Sequence, residues 1–136
     1  MFTSLLRVSV AVRDLDAAVE SYRALGLEPV GGVKQSPRGL GLRWVELGRP
    51  DGQCLLELMS PVSDSAPLAR FLDRHGEGVY QVRLGTSSLP QTLATLSGRG
   101  VRVVRDETPT GARPLGWVHP ASTHGVLVEV VEEEEQ

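Results

Sequence analysis

Cysteine, histidine, aromatic rings and long apolar runs are all scarce in this chain, and each scarcity closes off a class of function. A single cysteine, Cys54, provides no disulfide framework. Its place inside an apolar strand pattern reads as a small buried hydrophobe. Aromatic residues make up 4% and the formal net charge is −3, a poor match to nucleic-acid binding. No apolar run approaches the roughly 18 residues that a membrane span needs. The N-terminus lacks a basic flank leading into an apolar stretch, so no signal peptide is expected and a cytoplasmic location is the default. What remains is the composition of a soluble globular protein: 136 residues, 40% of them hydrophobic, enough for one domain with a real core. Arginines gather loosely at Arg38, Arg43 and Arg49 and again at Arg99, Arg102 and Arg105. Such scatter reads first as a solvated face, and otherwise as a landing place for an anionic small molecule. The acidic run Glu132 to Glu135 is expected to fray in solvent.

The chain also contains itself twice. Leu6 to Asp16 returns as Tyr80 to Pro90 at a shift of 74 positions, Arg43-Trp44-Val45 as Gly116-Trp117-Val118 at 73, and Cys54 to Leu58 as Val126 to Val130 at 72. Each copy reads as βαβββ. In the first, Arg7 to Val12 alternates like a strand, Asp14 caps a helix bearing Leu15, Ala18, Val19, Tyr22 and Leu25, and Gly26 ends it. Strands are expected over Leu27 to Lys34, Gly39 to Leu47 and Gln53 to Met59, with a turn at Arg49-Pro50-Asp51-Gly52. A linker helix capped by Ser65, with Pro67 in its first turn, ends at Gly76. The second copy has a strand over Val79 to Leu84 and a helix capped by Ser87 or Ser88 and ended by Gly100. Strands over Val101 to Arg105, Leu115 to Val118 and Gly125 to Val131 complete it. One domain over residues 1–131 is expected, with modules at 5–61 and 79–131, a linker helix at 62–78 and an acidic tail at 132–136.

Strand parity then sorts side chains, because alternate residues face opposite ways. Val8, Val10 and Val12 oppose Arg7, Ser9 and Ala11; Val82 and Leu84 oppose Gln81 and Arg83; Leu56 and Leu58 oppose Glu57; Val128 and Val130 oppose Glu129. If the apolar faces pack on the helices, each copy offers the other face one long polar residue from its first strand and one glutamate from its fourth. Arg7, Glu57, Gln81 and Glu129 form that matched quartet.

The paired βαβββ units, the helix opening on Val12-Arg13-Asp14-Leu15-Asp16 and closing on Leu25-Gly26-Leu27, resemble the vicinal oxygen chelate superfamily over about residues 5 to 131. That group holds glyoxalase I, methylmalonyl-CoA epimerases, extradiol dioxygenases and bleomycin-binding proteins. The second half is most similar to the epimerases, through Phe71-Leu72, Gly76-Glu77-Gly78-Val79, Gly111, Trp117-Val118-His119-Pro120 and Gly125 to Glu129. The resemblance implies an α+β fold in which paired βαβββ modules form one curved eight-stranded mixed sheet. It also implies a homodimer and an acyl-CoA or similar small acid in the sheet's cup.

The resemblance further implies a divalent metal (Co, Mg, Mn, Ni or Zn) held by two first-strand histidines and two fourth-strand Glu or Gln residues. Glu57 and Glu129 match that pattern, but Arg7 and Gln81 stand at the histidine positions. A glutamine oxygen can bind a hard cation. An arginine cannot, having no lone pair to give. At about 5 Å and an effective dielectric of about 20, an arginine and a divalent ion repel by roughly 6–7 kcal/mol. Hence no metal is expected, with Arg7 pairing to Glu57 or Glu129 in its place. A family glutamate that moves the substrate's α-proton aligns near Arg38, which leaves Glu46, Glu57, Glu129 and Glu107 as candidate bases. Arg7, Gln81, Arg38, Arg43, Trp44 and Trp117 are the candidate ligand contacts. His119 reads as structural, and His75 and His124 as loop residues, so the two-histidine iron site of dioxygenases is absent. Two functions stay open, beside a third reading in which the chain is a degenerate member whose Arg7–glutamate cluster merely stabilises the sheet. One is an epimerase-like proton-transfer isomerase, or a glyoxalase-like lyase, with Arg7 in place of a metal ligand. The other is a metal-free small-molecule binding protein of the bleomycin-resistance type.

Overall fold

The structure, a computed structural model, describes residues 1–36, 41–106 and 114–133. Arg38 and Glu107 lie outside them, as do Gly111, Glu134 and Glu135. The chain divides into two compact units, one of Arg7–Tyr80 and one of Met1–Leu6 with Gln81–Gln136. The class is α+β, as the resemblance implied.

In the first unit, β1 (Phe2–Ala11, shared between the units) leads through the Asp14 cap into α1 (Leu15–Arg23). Asp14 accepts from the Ala17 N–H, which satisfies one of the free donors of the first turn. Then come β2 (Glu28–Pro29), β3 (Lys34–Gln35), β4 (Leu42–Gly48), β5 (Cys54–Pro61) and α2 (Pro67–His75). The strand expected over Leu27 to Lys34 is two short ones, because the chain breaks at Gly31-Gly32 with Gly31 at φ +81°. Both pair with β4, so the described residues hold nine strands rather than eight. β1 runs parallel to β5 with Ser9 beside Glu57, and β5 runs antiparallel to β4 with Glu57 opposite Glu46. The Arg49–Gly52 turn closes as expected, the Gly52 N–H donating to the Arg49 carbonyl.

Parity holds in this unit. Val10, Val12, Val45, Leu47, Leu56 and Leu58 meet Leu15, Ala18, Val19 and Tyr22 of α1 in one core. Full burial of side chains such as Leu47 and Leu58 stabilises by roughly 1.5–3 kcal/mol each. Leu25 is not part of it; it lies beyond α1 and is exposed. The opposite face is not wholly polar. Its far end carries Ala11, Leu42, Trp44 and Met59, and α2 covers these with Leu68, Phe71 and Leu72. The linker helix therefore packs on the polar residues' side of the sheet. Ala66, not Ser65, occupies its N-cap position without a side-chain bond, with Pro67 just inside.

In the second unit, β6 (Gly78–Thr86) leads through Ser88 into α3 (Leu89–Gly98). β7 (Val103–Asp106), β8 (Leu115–Val118), a 3-10 turn (Pro120–Ser122) and β9 (Leu127–Glu132) follow. β6 is parallel to β9, which is antiparallel to β8 and through it to β7. Leu89, Leu93 and Leu96 pack on Val82, Leu84, Val118, Val128 and Val130. At Gly116 an added Cβ would lie 2.8 Å from a Leu93 methyl, so a larger residue there would push the Leu93 side chain aside where α3 meets β8.

The acidic C-terminal run does not wholly fray. Glu132 accepts from the Leu89 N–H at the start of α3 at 2.8 Å, where the helix favours negative charge. Glu133 accepts from the hydroxyls of Thr3 and Ser4, which hold its carboxyl below its usual pKa.

Candidate functional site

Arg7 leaves β1 on the face opposite the α1 core, two residues before Ser9 and within reach of both neighbouring carboxylates. Its Nη1 donates to Glu57 Oε2 at 2.7 Å, and its Nη2 lies 3.0 Å from Glu46 Oε1. One planar guanidinium thus bridges two glutamates that face each other across β4 and β5. Ser9 donates to the other oxygen of Glu57 at 3.2 Å. The three charged side chains differ in access: Glu57 is 4% exposed, while Arg7 and Glu46 are each 19% exposed. Burial works against the Arg7 charge, but Glu57 and then Glu46 outweigh it and hold the guanidinium above its usual pKa. Arg7 is therefore a permanent cation at any physiological pH.

Two further residues complete this cluster. Lys34 pairs with Trp44 across β3 and β4, which sets it on the same face, and its Nζ lies 3.9 Å from the same Glu46 oxygen that Arg7 holds. Cys54 also reaches the cluster, because the β4–β5 register slips between Leu47 and Gly48 and brings Cys54 opposite Gly48. It is partly exposed rather than buried in the core. Burial chiefly raises its thiol pKa; Arg7 opposes this, and Glu46 and Glu57 reinforce it.

The second unit makes its own version with different residues. Glu129 is buried and pairs in register with Arg83, whose Nε donates to Glu129 Oε2 at 2.9 Å. Gln81 Nε2 donates to the same oxygen at 3.3 Å. Arg83 is the repeat counterpart of Ser9, and Gln81 that of Arg7. Each unit thus brings one arginine to its own β5 or β9 glutamate, from alternate positions of the matching first strand. Arg7 reaches Glu57 and Glu46; Glu129, the other expected partner, is held by Arg83.

Trp44 and Trp117 are not true counterparts in space. Trp117 stands opposite Glu129, where the first unit places Glu46 opposite Glu57, while Trp44 stands opposite Met59. Trp44 is half-buried on the Ala11–Met59–Leu72 cluster, two residues from Glu46. Arg43 is exposed and, by strand alternation, on the face away from Glu46. His119 caps the 3-10 turn, its Nδ1 accepting from the Ala121 N–H. His75 is the last residue of α2, its ring 5.0 Å from that of Phe71, and His124 adopts positive φ beside Gly125.

The donor chemistry does not fit a divalent metal. Glu46, Glu57 and Glu129 each give an oxygen to an arginine. Within each cluster the cation that a metal would supply is already covalently part of the chain. Among the described residues no group of three or more His, Cys, Asp or Glu side chains is placed to hold a metal ion.

The sequence pattern alone does not single out Ser9, Lys34, Cys54 or Arg83 as candidates. Ser9 and Arg83 were within reach of it, since they share parity with Arg7 and Gln81. Lys34 and Cys54 were hidden by the glycine break and the register slip.

Comparison with known proteins agrees with the geometry of the fold. Residues 7–117 match the Glyoxalase/Bleomycin resistance protein/Dioxygenase superfamily. The chain is 31% identical to the ethylmalonyl-CoA/methylmalonyl-CoA epimerase of Cereibacter sphaeroides, over 96% of this chain and 98% of that protein. It superposes on methylmalonyl-CoA epimerase from Mycobacterium tuberculosis with a TM-score of 0.82 and 32% identity, covering 98% of this chain and 90% of that one. A Streptomyces coelicolor methylmalonyl-CoA epimerase variant in complex with 2-nitronate-propionyl-CoA gives a TM-score of 0.81 at 32% identity, covering 99% and 100%. Among the described residues no helix is long and apolar enough to cross a membrane. With its two βαβββ units, the chain belongs to the Glyoxalase/Bleomycin resistance protein/Dioxygenase superfamily and is similar to its methylmalonyl-CoA epimerases.

Proposed function

We propose that this protein is a proton-transfer isomerase for an acyl-CoA thioester, of the methylmalonyl-CoA epimerase type, that works without a metal ion. The observation that carries this reading is the Arg7 bridge between one buried and one accessible glutamate. A base that removes the α-proton of a thioester leaves negative charge on the thioester oxygen, and a fixed cation at that oxygen lowers the barrier. Arg7 is such a cation, held in place by Glu57 and kept charged by both carboxylates. Glu57, buried and bonded to Arg7 and Ser9, orients the guanidinium. Glu46 is open enough to meet a substrate and takes the proton. Inversion also needs the proton returned on the opposite face, whereas exchange with solvent does not. The similarity to epimerases, one of them in complex with an acyl-CoA analogue, supports the substrate class. A cytoplasmic homodimer accords with this reading.

A second reading has its own support. Because the Arg7 and Arg83 pairs stabilise the carboxylates internally, the same residues suit a metal-free binding protein that performs no chemistry.

Proton NMR of methylmalonyl-CoA in D₂O, with EDTA or with added Co²⁺, decides between them. The expected result is enzyme-dependent loss of the α-proton signal in EDTA, abolished by Arg7→Met. Exchange only with Co²⁺ would overturn the role given to Arg7, and no exchange in either condition would leave the binding reading.

A further inference from the structure

Glu46 occupies the outer arm of Arg7. We infer that the first unit recognises anionic ligands by carboxylate exchange: a ligand carboxylate replaces Glu46 on Arg7, and Lys34 holds the ligand and the displaced Glu46 side by side. This deepens the reading of the Arg7 cluster as the ligand site.

The two arms of Arg7 are unequally committed. Nη1 binds Glu57, which is 4% exposed and further held by Ser9, so that bond has nowhere to go. Nη2 binds Glu46, which is 19% exposed and has a second cation, Lys34, 3.9 Å from the same oxygen. Lys34 is 56% exposed on a four-carbon stem, free to follow a moving partner. Arg7 and Lys34 face Glu46 and Glu57, and each arm of Arg7 already holds a carboxylate. An incoming anion must therefore compete with a carboxylate already there.

Exchange resolves the competition without stranding a charge. After it, Arg7 keeps Glu57 on Nη1, while Nη2, with its two N–H donors, takes the ligand carboxylate and, in an acyl-CoA ligand, the neighbouring thioester oxygen. Glu46 keeps Lys34. Selectivity follows: a ligand without a free carboxylate or comparable oxyanion cannot replace Glu46, and its entry would leave the Glu46–Arg7 pair shut. Because Glu46 is tethered, it competes at a high effective concentration, which makes a free dicarboxylate bind weakly.

Malonate is the probe, titrated into the intact chain and followed by ¹H–¹⁵N NMR shifts. Glu46→Gln removes the competitor and should tighten malonate binding about tenfold, a difference of about 1.4 kcal/mol. Lys34→Gln should weaken it about threefold, with Lys34→Arg restoring it; Arg49→Gln, at an exposed arginine paired with Asp51, should leave it unchanged. Unchanged or weaker binding in Glu46→Gln overturns the exchange, as does an equal loss in Arg49→Gln, which would mean general charge attraction. The outcome stands apart from turnover. Exchange of malonate can be seen in a protein that fails the D₂O assay, and its absence in one that passes would remove only this device.

Discussion

Removing the Arg7 guanidinium while keeping its aliphatic bulk, in Arg7→Met, tests the central cluster most directly. Glu57 is the group at risk. It is 4% exposed and would keep the Ser9 hydroxyl but lose the charged partner at 2.7 Å. Lys34 cannot take over, since it lies toward Glu46 and already sits 3.9 Å from it. Breaking a buried pair by removing one partner costs about 3–5 kcal/mol, because the remaining charge is left in a poor solvent. At a urea m-value of about 2 kcal/mol/M, the low end of that range moves the midpoint down by roughly 1.5 M. Arg49→Gln, which breaks the exposed Arg49–Asp51 pair, should cost less than about 1 kcal/mol. Adding Glu57→Gln to Arg7→Met removes the carboxylate charge that Arg7 had paired and should recover part of the loss, giving a coupling of about 1–3 kcal/mol in the double-mutant cycle. Urea unfolding followed by circular dichroism measures all four variants. If Arg7→Met is within about 1 kcal/mol of the parent, or the cycle shows no coupling, the bridge does not organise this face.

The Cys54 thiol, whose pKa burial raises and the flanking carboxylates raise further against Arg7, should react with iodoacetamide at a higher pH midpoint in the folded protein than in the urea-unfolded chain. Glu46→Gln should lower that midpoint; a folded-state midpoint at or below the unfolded one would refute the placement of Cys54 beside the cluster. Divalent metal should have no foothold: Co²⁺ added in slight excess and then dialysed should be retained well below one equivalent, and EDTA should leave the thermal midpoint unmoved. Stoichiometric retention, or a loss of several degrees in EDTA, would show that a metal can displace the arginines.

Much of this fold can be read from the chain because its signals are local. Asp14 and Ser88 cap where a side-chain oxygen meets a free N–H, and alternation separates Val10 and Val12 from Arg7 and Ser9. The misses share a different cause: each depends on a partner that the local pattern does not name. Parity cannot follow Cys54 through a register slip that only β4 defines. The repeat aligns Trp44 with Trp117, yet pairing sets them two residues apart relative to Glu57 and Glu129. Glu132 and Glu133 look like a solvated run until α3 and β1 supply their donors. The face opposite α1 read as polar, but α2 needed an apolar seat and found it on Ala11, Trp44 and Met59.

The candidate site shows the same division between what a pattern names and what a contact decides. Substitution of Arg7 and Gln81 at the positions where a metal-binding relative would carry histidines reads, residue by residue, as loss. In space, the glutamates of both units are paired with arginines. The first unit takes its cation from Arg7 and the second from Arg83, two positions later in the matching strand. Arginine at either position reaches the same carboxylate, because both lie on one face of a strand paired in parallel with the glutamate's own. The charge that a bound ion would bring is thus carried by each strand separately. A covalent cation cannot dissociate and does not vary with metal supply, but it also donates hydrogen bonds where a metal would accept lone pairs. The chemistry proposed for this site is accordingly what a fixed positive charge and an accessible carboxylate can do: binding an anion and moving a proton beside it.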